Sequence, residues 1–136
     1  MNKFKIVTFL LVGAFMSSSF AANDSNELED LLQKMIDKKE LEGYWHVKTF
    51  PERVPLKIVL PKNYLNKNLK LTKFGQDVVF IKNSTSQEYF IIKQINENKN
   101  DVQIVFSYPL EGIKGDIRYN KGSKSWIEKS FTIIEK

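Results

Sequence analysis

Leu28, Leu31, Leu32, Met35 and Ile36 recur at positions i, i+3, i+4, i+7 and i+8, with polar and charged residues between them. That is the period of an α-helix, so the spacing predicts one amphipathic helix from about Ser25 to Leu41. Asp24, with Glu27 three residues later, suits a capping box at its start, and Gly43 suits the left-handed residue that closes a helix. Burying five such side chains contributes on the order of 8 to 15 kcal/mol gross, at about 1.5 to 3 kcal/mol each. The helix must therefore dock, either on the domain's own sheet or on another molecule.

Beyond Gly43 the period changes to alternation, broken by Pro, Gly and Asn clusters. Strands are expected near 44–50, 55–60, 69–74, 78–82, 88–96, 102–108, 115–120 and 126–135. The alternation is plainest where Val102, Ile104, Phe106 and Tyr108 interleave with Gln103, Val105 and Ser107. The polar run Asn96 to Asp101 joins that strand to the preceding one as an antiparallel hairpin. Gly75-Gln76-Asp77, Asn83 to Gln87 and Lys121-Gly122-Ser123 separate the neighbouring strands. One helix followed by a meander predicts an α+β fold, mainly antiparallel β. The N-terminal amphipathic helix packs on a strongly bent meander sheet, or flanks a small lipocalin-like β-barrel closed from the same strands.

Two short stretches resemble known families. Gly43-Tyr44-Trp45 resembles the Gly-x-Trp at the first strand of lipocalin-type barrels, which implies a ligand cup. The final strand offers Lys129 where such barrels place an Arg against the Trp. The helix and the late hairpins, ending in Lys124-Ser125-Trp126, are also similar to cystatin-like and NTF2-like domains. An NTF2-like fold implies further helices, for which Pro61 to Asn68 is the available stretch.

The start of the chain carries a different pattern. Lys3 and Lys5, the apolar run Ile6 to Met16 and the small-x-small triplet Ser19-Phe20-Ala21 together read as an export signal. Residues 1–21 are thus expected to be a signal peptide and 22–136 a single α+β domain, periplasmic or secreted. The apolar run is well short of the roughly 20 residues that cross a bilayer, and no transmembrane segment is expected in the mature chain. The short signal and the many Lys, Asn and Ile point to a bacterial source.

Composition narrows the chemistry. The chain has no cysteine and one histidine. Packing alone must hold the exported domain, and thiol nucleophiles, thiolate metal sites and His-rich zinc sites are excluded. No Gly-x-Ser-x-Gly elbow and no phosphate-cradling glycine loop is present, and neither a cofactor nor a metal is expected. In a 44–50 strand, His46 would share a face with Tyr44, Lys48 and Phe50, as a half-exposed structural side chain or as a general base. Glu111 and Asp116 could in principle form a carboxylate pair.

The net charge of +5 is unevenly placed. Residues 24–42 carry seven acidic and three basic side chains, whereas 53–76 hold Arg53, Lys57, Lys62, Lys67, Lys70 and Lys73 with no acid. Those cations are a solvated, aggregation-resisting face or a patch that meets an acidic protein or an anionic envelope polymer. Nucleic acid is not expected as a partner, since the basic run has neither a helix-turn-helix layout nor interleaved aromatics. The loop from Pro109 to Gly115 offers Leu110 and Ile113 as apolar anchors with Glu111 and Lys114 at their rim, or folds them back on the core as an ordinary connection.

The functional expectation is an exported, non-catalytic binding protein that recognises another protein, such as an inhibitor or immunity-type factor against an envelope-acting hydrolase or toxin. The alternative is a carrier of a small hydrophobic ligand, which requires an apolar cavity of about 300 Å³ or more lined by several aromatics. An enzyme using His46, or Glu111 with Asp116, is a third reading.

Overall fold

Two helices precede the strands in the computed structural model, which describes the backbone of residues 16–82 and 86–136 and the side chains from residue 26 onward, except 83–85. Residues 1–15 of the expected signal peptide and part of the turn Asn83 to Gln87 lie outside the described residues. Helix α1 (Met16–Ile36) includes Ser19-Phe20-Ala21, so a cut after Ala21 would shorten it while keeping the whole apolar stripe. No helix among the described residues is long and apolar enough to cross a membrane.

The stripe does dock on the domain's own sheet. Leu28, Leu31, Leu32, Met35 and Ile36 are all buried, and the Tyr119 hydroxyl donates to the Leu31 carbonyl. Along one flank, Gln33 exchanges two hydrogen bonds with the Thr72 backbone at 2.8 and 3.0 Å. Along the other, Glu27 accepts from Lys121 and from the Trp126 indole, and Lys38 reaches Glu128 at 2.7 Å.

The helix is broken rather than continuous to Leu41. Lys38 is extended (φ −63°, ψ 137°), and a second helix, α2, runs from Lys39 to Trp45. The turn brings Leu41 and Trp45, four residues apart on α2, into the core. Gly43 lies inside α2 and does not close a helix; His46 does so, in the left-handed region at φ 51°. The expected strand at 44–50 is therefore the end of α2 followed by a turn. The Gly-x-Trp resemblance falls with it, since Gly43-Tyr44-Trp45 is helical.

Six strands form one open sheet in the order β4-β1-β5-β6-β7-β8, not closed into a barrel. Strands β5 (Phe90–Glu97), β6 (Asp101–Tyr108), β7 (Ile113–Lys121) and β8 (Trp126–Glu135) make the expected antiparallel meander. Short β1 (Lys57–Val59) pairs in parallel with both β4 (Val79–Ile81) and β5, so Ile58 lies between Phe80 and Phe90. Strands β2 (Thr72–Lys73) and β3 (Gln76–Asp77) form a separate hairpin through Phe74 and Gly75, both left-handed, as a two-residue turn requires. Pro61 to Asn68 supplies one helical turn, Lys62–Tyr64.

An aromatic group fills the end of the core nearest α2. Phe90 stacks on Phe106 at 5.3 Å between centroids, and Trp45 packs against Phe90 at 5.5 Å and Tyr108 at 5.6 Å.

Candidate binding cleft

The chain after α2 turns back through Pro51–Arg53, a single helical turn that aims Arg53 at the end it has just left. Its Nη1 donates to the Trp45 carbonyl at 3.1 Å and to the Tyr44 carbonyl at 3.4 Å, satisfying acceptors that the last turn of a helix leaves free. The same nitrogen donates to Glu111 Oε2 at 2.8 Å. Glu111 comes from a second helical turn, Pro109–Glu111, closed by Gly112 at φ 68°. Its other oxygen meets His46 Nε2 at 3.2 Å. Tyr44 adds a hydrogen bond from its hydroxyl to Glu135 at the end of β8. One carboxylate thus ties the start of β7 to the end of α2.

Above this clasp lies a cleft of about 380 Å³. Leu56, Phe90 and Tyr108 are its buried lining, and Tyr89 is half-buried. Phe50 and Leu110 line it as well, and they are 39% and 44% exposed. The Arg53 guanidinium lies 4.5 Å over the Phe50 ring and 5.9 Å from the Tyr108 ring. Burial pushes the Tyr108 phenol above its usual range, against the opposing pull of Arg53. Tyr108 is therefore a neutral donor at ordinary pH.

The candidate residues from the sequence divide between this cleft and other places. Leu110 is at the cleft. Glu111 is turned inward to Arg53 and His46, Ile113 is 2% exposed in the core, and Lys114 is exposed on the opposite face of β7. Of the basic run, Arg53 is paired within the clasp and Lys57 lines the cleft. Lys62, Lys67 and Lys70 are exposed elsewhere, and Lys73 is 12% exposed and paired with Asp37 at 3.0 Å. Two of the six cations, Arg53 and Lys73, are therefore committed to ion pairs within the fold.

Glu111 meets His46 rather than Asp116, which accepts from Gln103 at 2.9 Å. No cluster of His, Asp and Glu suited to a metal occurs among the described residues. The sequence reading missed Phe50 as a cleft residue because 44–50 alternates as a strand would. Pro51 directly after it, with no N–H to pair, is the signal that Phe50 stands at a turn.

The class defined by these features is a mixed α/β domain with an open, mostly antiparallel sheet and an apolar cleft at one end. No family model, curated protein or solved structure matches the chain.

Proposed function

We propose that this is an exported, non-catalytic binding protein that recognises another protein by taking one of its apolar side chains into the cleft beside Tyr89 and Tyr108. The observation that carries this reading is that Phe50 and Leu110, two large hydrophobics left exposed, line the same aromatic cleft. Exposed apolar surface around a pocket is what interface hot spots use, with charged groups at the rim. The exposed Glu52 and Glu88 and the half-buried Lys57 supply such charges, and the two acids suit a basic residue beside the partner's anchor. An envelope-acting hydrolase or toxin held by an inhibitor or immunity-type factor is the sharpest form of the reading.

A photo-cross-linking residue at position 110, compared with one at Ile127 on β8, tests it in cells. A defined protein adduct from position 110 that disappears with Phe50→Ala is the expected result. Equal labelling from both positions, or labelling indifferent to Phe50, overturns it.

The volume of the same cleft and its aromatic lining favour a second reading, a carrier of a small hydrophobic molecule. Native mass spectrometry of the purified protein separates the two. A stoichiometric small-molecule adduct with no protein cross-link at position 110 selects the carrier.

A further inference from the structure

Strand β8 forms one edge of the six-stranded sheet, paired with β7 on one side and with no strand among the described residues on the other. The opposite edge, β4, is only three residues long, whereas β8 has ten. A long free edge is a row of unpaired N–H and C=O groups that templates another chain, and native edges are blunted by lysine, proline, a bulge or a covering element. Strand β8 has one such device, a bulge at Lys129, which has no partner on β7. Beyond it, Ser130-Phe131-Thr132-Ile133-Ile134-Glu135 contains neither lysine nor proline, and Ile134 is 52% exposed.

The ladder with β7 tells which backbone groups are free. The Lys136 N–H donates to the Gly112 carbonyl at 2.9 Å, and the Thr132 carbonyl points at β7 beside Gly115. Bonded and non-bonded pairs alternate along an antiparallel ladder. Thr132 and Ile134 therefore bond to β7, and Phe131, Ile133 and Glu135 aim their N–H and C=O groups at the open edge. The side chains of Phe131 and Ile133 lie on the core face, half-buried against the core. Those of Ser130, Thr132 and Ile134 are exposed on the other face.

We propose that a second copy of this chain pairs with β8, antiparallel to it about a two-fold axis at Thr132, joining two sheets into one. The segment is self-complementary in that register. Phe131 lies opposite the partner's Ile133, and each exchanges backbone hydrogen bonds with the other through groups that are otherwise free. Ile134 lies opposite the partner's Ser130, and Lys129 comes to the end where the partner's Glu135 lies. An axis at Ile133 would instead set Phe131 against Glu135, and one at Phe131 would set Ile133 against the bulge. The pairing is closed, so it removes the open edge of both copies.

The chain has no cysteine, which makes single-cysteine variants a clean test of register. Thr132 stands opposite itself at a non-bonded pair, where side chains approach most closely. Thr132→Cys should therefore give a disulfide-linked dimer on mild oxidation. Ser130→Cys and Ile134→Cys should cross-link poorly alone and efficiently when the two variants are mixed. Sedimentation equilibrium of the unaltered protein should show a dimer with a dissociation constant at or below about 100 μM. Thr132→Lys, which sets like charges face to face at an exposed position, should weaken it by about tenfold or more. A chain that stays monomeric leaves the edge to some other strand and overturns the proposal. So do equal cross-linking by all three cysteine variants and a dimer indifferent to Thr132→Lys. Ile127 lies outside the paired segment, so the comparison with position 110 stands or falls separately.

Discussion

Arg53 and Glu111, 58 residues apart in the chain, meet at 2.8 Å with their side chains only 13% and 15% exposed. The pair is asymmetric in what it leaves behind. Without Glu111, Arg53 keeps the carbonyls of Tyr44 and Trp45 as acceptors; without Arg53, Glu111 keeps only His46 and both carbonyls lose a donor.

Arg53→Met should therefore destabilise the fold by about 2 to 4 kcal/mol and Glu111→Gln by about 1 to 2 kcal/mol, with the double variant costing less than the sum. Urea unfolding at a constant m-value measures all three. Equal costs for the two single variants would show that the clasp is a simple pair and does not cap α2.

Two glycines give opposite predictions. A Cβ at Gly115 on β7 would lie 2.2 Å from the Thr132 carbonyl oxygen and 2.8 Å from Phe106 Cζ, while one at Gly43 meets nothing within 4 Å. The first contact is with backbone of the neighbouring strand, which cannot step aside. Gly115→Ala should cost about 3 kcal/mol by overpacking, and Gly43→Ala, inside α2, should add about 0.5 to 1 kcal/mol. Thermal melting of both variants checks the pair.

Alkaline pH should unfold the protein. Burial raises the phenol pKa of Tyr64, Tyr108 and Tyr119, with Glu97 adding at Tyr64 and Glu128 at Tyr119. Unfolded tyrosine titrates near 10. Above that pH the unfolded chain releases protons that the folded chain retains, so the unfolded state gains. The stability these groups provide is complete below about pH 10 and declines as pH rises towards their folded values, by up to about 1.4 kcal/mol per pH unit per tyrosine. Urea midpoints between about pH 8 and 12 should fall in this way, and Tyr64→Phe should flatten the fall.

What the sequence revealed and what it hid follow the range of the interactions. The α1 stripe and the β5 to β8 meander are written locally, by period and by turn residues, and all appear where expected. The alternation of Tyr44, Trp45, His46 and Val47 misled because it hides a helical pair, Leu41 and Trp45, whose burial is decided by the turn at Lys38. The parallel seat of β1 between β4 and β5 rests on three residues and on partners far along the chain, which no local period encodes. The cleft was only partly legible. Leu110 and the cations were visible as types, but Glu111's turn towards Arg53 is a tertiary contact, and it changes an apparent rim charge into a structural one.

The cleft makes the last prediction, because its exposed residues should matter to binding and little to folding. Phe50 and Leu110 keep 39% and 44% of their surface exposed, and the Arg53 guanidinium lies 4.5 Å over the Phe50 ring. Phe50→Ala and Leu110→Ala should each shift stability by no more than about 1 kcal/mol. Phe90→Ala, at 0% exposure beneath them, should cost about 3 to 5 kcal/mol. If the cleft takes a partner's apolar side chain, the same two surface variants should each weaken the complex by about tenfold or more, mainly through faster dissociation. Glu52→Lys combined with Glu88→Lys should instead slow association and reverse its dependence on salt. Equilibrium unfolding alongside binding kinetics on the identified partner reads both quantities. Surface variants that destabilise the fold as much as Phe90→Ala would place Phe50 and Leu110 in the core's support and remove the reason to regard the cleft as a recognition site.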